Sequence, residues 1–305
     1  GEKLVAVEQD DVCDPKQAVS VANNMVNEGV RFVVGHLCSS STQPASDIYE
    51  DEGILMVTPA STSPDITERG YELVFRTIGL DSMQGPVAAN YLISQKPERV
   101  AVVHDKQQYG EGIATAVRDT LEEAGVEVAM FEGITAGAKD FSSLVTKLRQ
   151  ADVDYVYYGG YHPELGLILR QAQQADLDAT FMGPEGVGNK DINTIAGEAA
   201  EGLLVTLPPS FDKKDENQEL VQAFEEKGED PSGPFVLTSY TAVQLIADGI
   251  EAAESTDPFD VAEALRAGTF QTPIGTVEYD NKGDMESFEF VVYEWHSDGS
   301  KTPVN

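Results

Sequence analysis

The 305-residue chain carries 20 Lys and Arg against 53 Asp and Glu, a formal charge of −33 spread along its length rather than gathered in one tail. Such a field repels phosphate backbones and anionic lipid headgroups, so nucleic acid and membrane surfaces are poor partners. No run of about 18 apolar residues occurs, which excludes a helical span, and the length exceeds a usual single core, so two lobes are expected.

Leu4-Val-Ala-Val7 reads as a strand, and Pro15 to Gly29, with Ala18, Val21, Ala22, Met25 and Val26 at helical spacing, as the helix after it. The opening Gly-Glu-Lys-Leu-Val-Ala-Val lacks a secretory pattern, so any export signal is expected to have been removed or to lie upstream. The next strand, Arg31-Phe-Val-Val34, runs into Gly35-His-Leu-Cys-Ser-Ser-Ser-Thr-Gln-Pro44, where small hydroxyl residues lead into a helix. Free N–H groups and side-chain donors gather there, which makes an anion-binding corner. The apolar strand Ile54–Thr58 is followed by Pro59-Ala-Ser-Thr-Ser-Pro64, a second donor set of carboxylate size in the next βα unit.

The rhythm continues with strands at Arg99–His104, Val126–Phe131 and Asp154–Tyr158, each before a helical segment, Gly112–Gly125, Phe141–Ala151 and Glu164–Ala175 in turn. Strand and helix alternating in this way give an α/β fold of parallel sheets covered by helices. Arg76–Ser82 and Leu204–Asp212 put polar or Pro residues straight after a strand, as a chain does on leaving one lobe for another. Phe288–Trp295 alternates like an antiparallel strand and offers a third crossing.

After the strand Thr180-Phe-Met182 comes Gly183-Pro-Glu-Gly-Val-Gly-Asn-Lys190, which imitates a phosphate loop. Asn189 intervenes between the second glycine and the lysine, and Asp191 stands where Ser or Thr is needed, so the nucleotide reading fails. What remains is Glu185 at a strand's carboxyl end, the edge that faces a ligand crevice, with a solvated loop acid as the alternative. Tyr109 and Tyr161 also follow strands and either wall a ligand or are partly buried loop tyrosines. Phe235 opens a long helix as core or as lid. His36 beside Cys38 evokes a thiol nucleophile with its base, but no third orienting group can be named. The four histidines, His36, His104, His162 and His296, lack zinc spacing. Cys13 and Cys38 are compatible with a bridge, a redox couple or two buried thiols; a bridge over about 25 residues would add roughly 3 to 4 kcal/mol.

Taken together, Asp11–Val19, Gly35–Met56, His104–Gly112, Tyr157–Glu164 and Phe181–Gly186 resemble the leucine/isoleucine/valine-binding proteins of bacterial ABC importers, along the whole chain. The resemblance implies a type I periplasmic binding protein: two Rossmann-like lobes of parallel sheet flanked by helices, joined by three crossover hinge strands and closing on a ligand. Lobe one would span 1–80 plus 209–288, and lobe two 81–208 plus 289–305. Family members begin with a further strand and helix, so Gly1 would stand just before the family's second strand, the first strand and helix of lobe one being absent from the sequence.

The same resemblance implies a Cys13–Cys38 disulfide. Ser39 and the Thr62 hydroxyl, with the backbone at Ala60 and Thr62 and with Cys38 and Ser61 beside them, would take an amino-acid carboxylate and help hold the ammonium. Glu185 would answer the ammonium, and Tyr109, Tyr161 and Phe235 would surround the aliphatic side chain. The expected protein is a monomeric periplasmic receptor, not an enzyme, handing leucine, isoleucine or valine to an inner-membrane ABC permease. No cofactor, metal or nucleic acid is expected. The rivals are a ligand-sensing regulator of the same fold and a hydrolase or amidase using Cys38 or Ser39.

Overall fold

The structure, a computed structural model, describes residues 4–304. The expected lobe limits at residues 1 and 305, and the placing of Gly1 before a family strand, lie outside the described residues. The chain divides into two compact units, the first reaching to Gly79 and resuming over Phe235–Phe288, the second holding Leu80–Pro234 and the chain from Glu289 onward.

In the first unit the strand expected at Leu4–Val7 does not form. Residues 4–10 form no strand, and Leu4 and Val5 are 58% and 82% exposed. β-Branched composition supplies only propensity, whereas a strand needs a neighbouring backbone to take its polar groups, and no described strand pairs with this one. Helix α1 (Pro15–Asn27) follows, with the Asp14 carboxylate accepting from the N–H groups of Lys16 and Gln17 at 2.9 and 2.8 Å and with Pro at its first turn. It buries Ala18, Val21, Ala22 and Met25 on one face. Gly29, at φ +72°, turns the chain into β1 (Phe32–Val34). Helix α2 (Ser39–Asp51) then leads to β2 (Leu55–Thr58), and β3 (Val74–Arg76) completes a parallel sheet ordered β1-β2-β3, with Phe32 opposite Leu55 and Val57 opposite Phe75. Its core joins Ala18, Ala22, Val33, Ala45, Tyr49, Met56 and Val74.

The second unit runs α3 (Asp81–Ser94), β4 (Val100–His104), α4 (Gln108–Glu123), β5 (Val128–Gly133), α5 (Ser142–Gln150) and β6 (Tyr155–Gly159). It continues with α6 (His162–Gln174), β7 (Thr180–Gly183), α7 (Asp191–Ala196), β8 (Leu203–Leu207) and α8 (Gln218–Glu225). The chain then returns to the first unit for α9 (Val236–Ala253), α10 (Pro258–Ala267) and the antiparallel pair β9 (Phe270–Thr272) and β10 (Gly275–Val277). It ends in the second with β11 (Val291–Trp295) and β12 (Lys301–Pro303).

The second unit's sheet has the order β12-β11-β8-β7-β6-β4-β5, parallel from β5 to β8 and antiparallel at β8–β11 and β11–β12. Alternation along the strands feeds two cores. Ala101, Val103, Val156, Tyr158 and Val205 lie in one, and Val100, Val102, Tyr157, Met182 and Leu204 in the other. After β5 the chain reverses direction across the sheet to place β6 on the far side of β4, so the carboxyl ends of β4 and β6 flank a switch point.

The segment 209–234, expected in lobe one, groups with the second unit. Side chains decide this. The Tyr293 hydroxyl accepts from the Ser210 N–H at 3.1 Å, Lys190 pairs with Asp230 at 2.5 Å, and the Lys301 ammonium donates to the Ser232 carbonyl at 3.4 Å. Among the described residues no helix is long and apolar enough to cross a membrane.

Candidate ligand-binding site

In the first unit the expected carboxylate donors stand at the carboxyl ends of two adjacent parallel strands. Ser39 opens α2 after β1, and Ala60, Ser61 and Thr62 follow β2. All four are buried, and the Ser39 hydroxyl accepts from the Ser63 N–H at 3.4 Å, tying the two loops together. The corner is braced from behind. The Thr58 hydroxyl donates to the His36 carbonyl at 2.9 Å and accepts from the Ser61 N–H at 3.0 Å. The Ser61 hydroxyl lies 2.6 Å from that of Thr42 and reaches the Leu37 carbonyl at 2.9 Å, so this side chain holds the loops in place.

Cys38 is bonded to Cys13, with their Cα atoms 5.5 Å apart, and its sulfur therefore carries no thiol. His36 is equally committed. One ring nitrogen is 2.5 Å from the Asp11 carboxylate and the other 3.0 Å from the Tyr49 hydroxyl. Burial raises the Asp11 carboxyl, but the His36 ring and the Cys13 N–H outweigh it and hold Asp11 below the usual range. The nucleophile-and-base pairing weighed from the sequence thus gives way to a bridge and a histidine held between a carboxylate and a phenol. Phe235, half-buried, caps the start of α9 in this unit.

In the second unit the other expected residues gather around the switch point. Tyr109 lies in the first turn of α4 after β4, Tyr161 precedes α6 after β6, and Glu185 follows β7. The tyrosine rings are 5.1 Å apart, tilted by 39°, and the Tyr109 hydroxyl accepts from the Gly186 N–H at 3.1 Å. Gly186 is required there, since a Cβ would stand 2.9 Å from the Tyr109 ring and from the Gly160 carbonyl. Glu185 is only 2% exposed and accepts from the Gln84 side-chain amide of α3. Burial first, then the charges of Glu185 and Asp81, push the Tyr109 and Tyr157 phenols well above their ordinary range. These are neutral hydroxyls beside a buried acid, surroundings that reward a cation with an aliphatic body.

Sequence reasoning missed Gln84, Asp81 and Tyr157, which complete this corner. Gln84 meets Glu185 across 101 positions and has no local signature. It also missed Thr42 and Thr58, although hydroxyls at a strand end were the signal in hand. Of metal-type clusters among the described residues, Glu201, Glu294 and His296 bring ligand atoms within 4.8 Å at the surface. His296 bonds Glu201 at 3.0 Å, which lifts the imidazole above its ordinary range, as in an ion pair.

Parallel βα units that present hydroxyl donors at one sheet and a buried acid with aromatic walls at another define a solute-binding class of protein. The family described as periplasmic binding protein matches residues 1–300, and the chain belongs to it. Its relatives include the "Leucine-, isoleucine-, valine-, threonine-, and alanine-binding protein" of Pseudomonas aeruginosa, 62% identical over 305 residues, covering 100% of this chain and 82% of the relative. The "Leu/Ile/Val-binding protein" of Escherichia coli K12 is 56% identical over 303 residues, covering 99% and 82%. A solved leucine binding protein from Thermotoga maritima is 28% identical, with a TM-score of 0.90 over 97% of this chain and 85% of that one. A Streptococcus pneumoniae branched-chain amino acid transporter substrate binding protein, in complex with isoleucine, is 23% identical and matches in fold, with a TM-score of 0.88 over 98% and 86%.

Proposed function

We propose that this chain is the periplasmic receptor of an ABC importer and captures a branched-chain aliphatic amino acid, leucine, isoleucine or valine, for delivery to an inner-membrane permease. The observation that carries the reading is Glu185, a carboxylate buried beside the Tyr109–Tyr161 pair and held by Gln84. A carboxylate at the edge of an aromatic cluster suits an α-ammonium carried on an apolar side chain, which offers the acid a charge-assisted hydrogen bond and the rings an alkyl surface. In the first unit, Ser39, Thr62 and the backbone at Ala60 and Thr62 take the α-carboxylate, with the Cys13–Cys38 bridge bracing that corner. Tyr109, Tyr161 and Phe235 contact the alkyl group, whose burial is worth about 25 cal/mol per Å².

The names of the relatives support the ligand class. The bridge at Cys38 counts against a cysteine hydrolase, and binding without turnover is the function proposed. Calorimetric titration with a panel of free amino acids tests this. Heat is expected with leucine, isoleucine and valine, and threonine and alanine belong in the panel because the Pseudomonas relative's name carries them. No heat with any branched aliphatic amino acid would reject the proposal.

A further inference from the structure

A further residue, from the next strand, also holds the donor loop after β2. Arg76, the last residue of β3, is fully buried, and its guanidinium reaches both that loop and the acid Asp284. Nη1 donates to the Ser61 carbonyl at 2.6 Å, Nη2 to the Ser63 carbonyl at 3.1 Å and to the Thr67 hydroxyl at 2.8 Å, and Nε to Asp284 at 2.6 Å. Thr67 in turn donates to Asp284 at 2.9 Å.

Asp284 is delivered by a turn built for the purpose. Gly283 adopts φ +90°, and a Cβ there would stand 2.0 Å from the Val74 carbonyl. The Gly283 carbonyl accepts from the Arg76 N–H at 3.1 Å, and the Asp280 carboxylate accepts from the N–H groups of Lys282 and Asp284 at 2.8 and 3.0 Å. The turn thus brings the counter-charge to β3 from far along the chain.

We infer that Arg76 is a positioning residue for carboxylate recognition: by holding the Ser61 carbonyl it aims the Thr62 N–H at the ligand. The inference rests on the functional reading above and deepens it. A trans peptide is planar, so the Ser61 C=O and the Thr62 N–H point in opposite directions from one rigid unit. A short, charge-assisted bond on the carbonyl therefore fixes the direction of the donor. The second anchored carbonyl, Ser63, shares its peptide with Pro64, which has no N–H, so that bond closes the loop without turning a donor away. Asp284 neutralises the guanidinium locally, and Arg76 acts through geometry rather than through net charge. A buried ion pair of this kind is a poor source of stability compared with apolar packing. What an apolar residue cannot do is hold a carbonyl.

The test compares leucine with leucinamide, which keeps the ammonium and the alkyl group but lacks the carboxylate. Affinities for both, with thermal midpoints, are measured for wild type, Arg76→Lys, Thr67→Val and Asp284→Asn. Arg76→Lys is expected to weaken leucine by about tenfold or more while changing leucinamide by less than about threefold, with the other two variants moving the same way by less. A residue that serves only the core would lower the midpoint and leave the leucine-to-leucinamide ratio unchanged. That unchanged ratio in the folded variants, beside a wild type that prefers leucine, overturns the inference alone. Should Arg76→Lys fail to fold, Thr67→Val and Asp284→Asn decide by the same ratio. A wild type that binds neither compound overturns the functional reading and the inference with it.

Discussion

Replacing Glu185 by Gln removes a carboxylate and almost no volume, and the proposed role makes ligand affinity the quantity that should change. Glu185 is 2% exposed beside the Tyr109 and Tyr157 phenols, which burial first and then Glu185 and Asp81 push well above their ordinary range. Gln keeps an oxygen to accept from the Gln84 amide, so the hydrogen bond survives while the buried charge goes. With ligand bound, the ammonium loses its counter-charge. Breaking a buried pair from one side costs about 3–5 kcal/mol, and the neighbouring Asp81 argues for the lower end, which is about a hundredfold in dissociation constant. Calorimetry at neutral pH with leucine and with 4-methylpentanoate, the same molecule without its ammonium, isolates the effect. Leucine should weaken about a hundredfold, and 4-methylpentanoate should bind the variant at least as well as it binds wild type. Leucine binding within about threefold of wild type, or equal losses for both compounds, would refute the role given to Glu185.

Asp105, 2% exposed at the end of β4, has its carboxyl pushed up to about 6 from 3.8, by burial first and by Glu164 and Glu111 as well, against the Gln107 N–H that lowers it. Its folded value lies above the unfolded one, so its contribution to stability is fully present below about pH 4 and is lost as pH rises through about 6. The loss reaches at most about 3 kcal/mol, and Asp105→Asn should regain about 1–3 kcal/mol at pH 7.5 in urea titrations while flattening the dependence between pH 4 and 6. An unchanged pH profile in the variant would contradict the assignment. Opening the Cys13–Cys38 bridge, across a separation of 25 residues, should lower stability by about 3–4 kcal/mol. Urea midpoints with and without dithiothreitol measure it, and an equal midpoint with both thiols verified free would count against a bracing role. Gly186→Ala drives a Cβ to within 2.9 Å of the Tyr109 ring and the Gly160 carbonyl. It should cost about 1–3 kcal/mol and change the near-ultraviolet dichroism of the tyrosines, and a variant with wild-type stability and spectrum would show that the contact yields freely.

What was legible in the sequence is what one segment can encode by itself. The ends of β1, β2, β6 and β7 announce themselves through an apolar run followed by small, hydroxyl or glycine residues, and so Ser39, Thr62, Tyr161 and Glu185 can be placed at strand ends without coordinates. The same local reading fails at Leu4–Val7, because pairing is a property of two segments and composition reports only one. It fails at 209–234 for a related reason. Pro208-Pro209 signals a departure, but the segment is retained by Tyr293, Lys190 and Lys301, which lie elsewhere in the chain.

Gln84 and Arg76 are the instructive omissions. Arg76 is a polar residue after the apolar run Leu73-Val74-Phe75, whereas Gln84 stands among Asp81, Ser82, Gly85 and Pro86, and each becomes intelligible only through an acid that joins it from a distance of 208 or 101 positions. Such pairs obey a rule that could direct a search. A buried guanidinium or carboxamide must find acceptors or donors, so a polar residue at a position where the periodicity demands burial implies a distant partner, even when the sequence does not name it. Arg76, in line with Val74 and Phe75 on a strand buried throughout, meets that condition. The residues proposed to touch the solute are therefore read from strand ends, whereas Arg76, proposed to aim one of them, is read from a violation of the hydrophobic pattern.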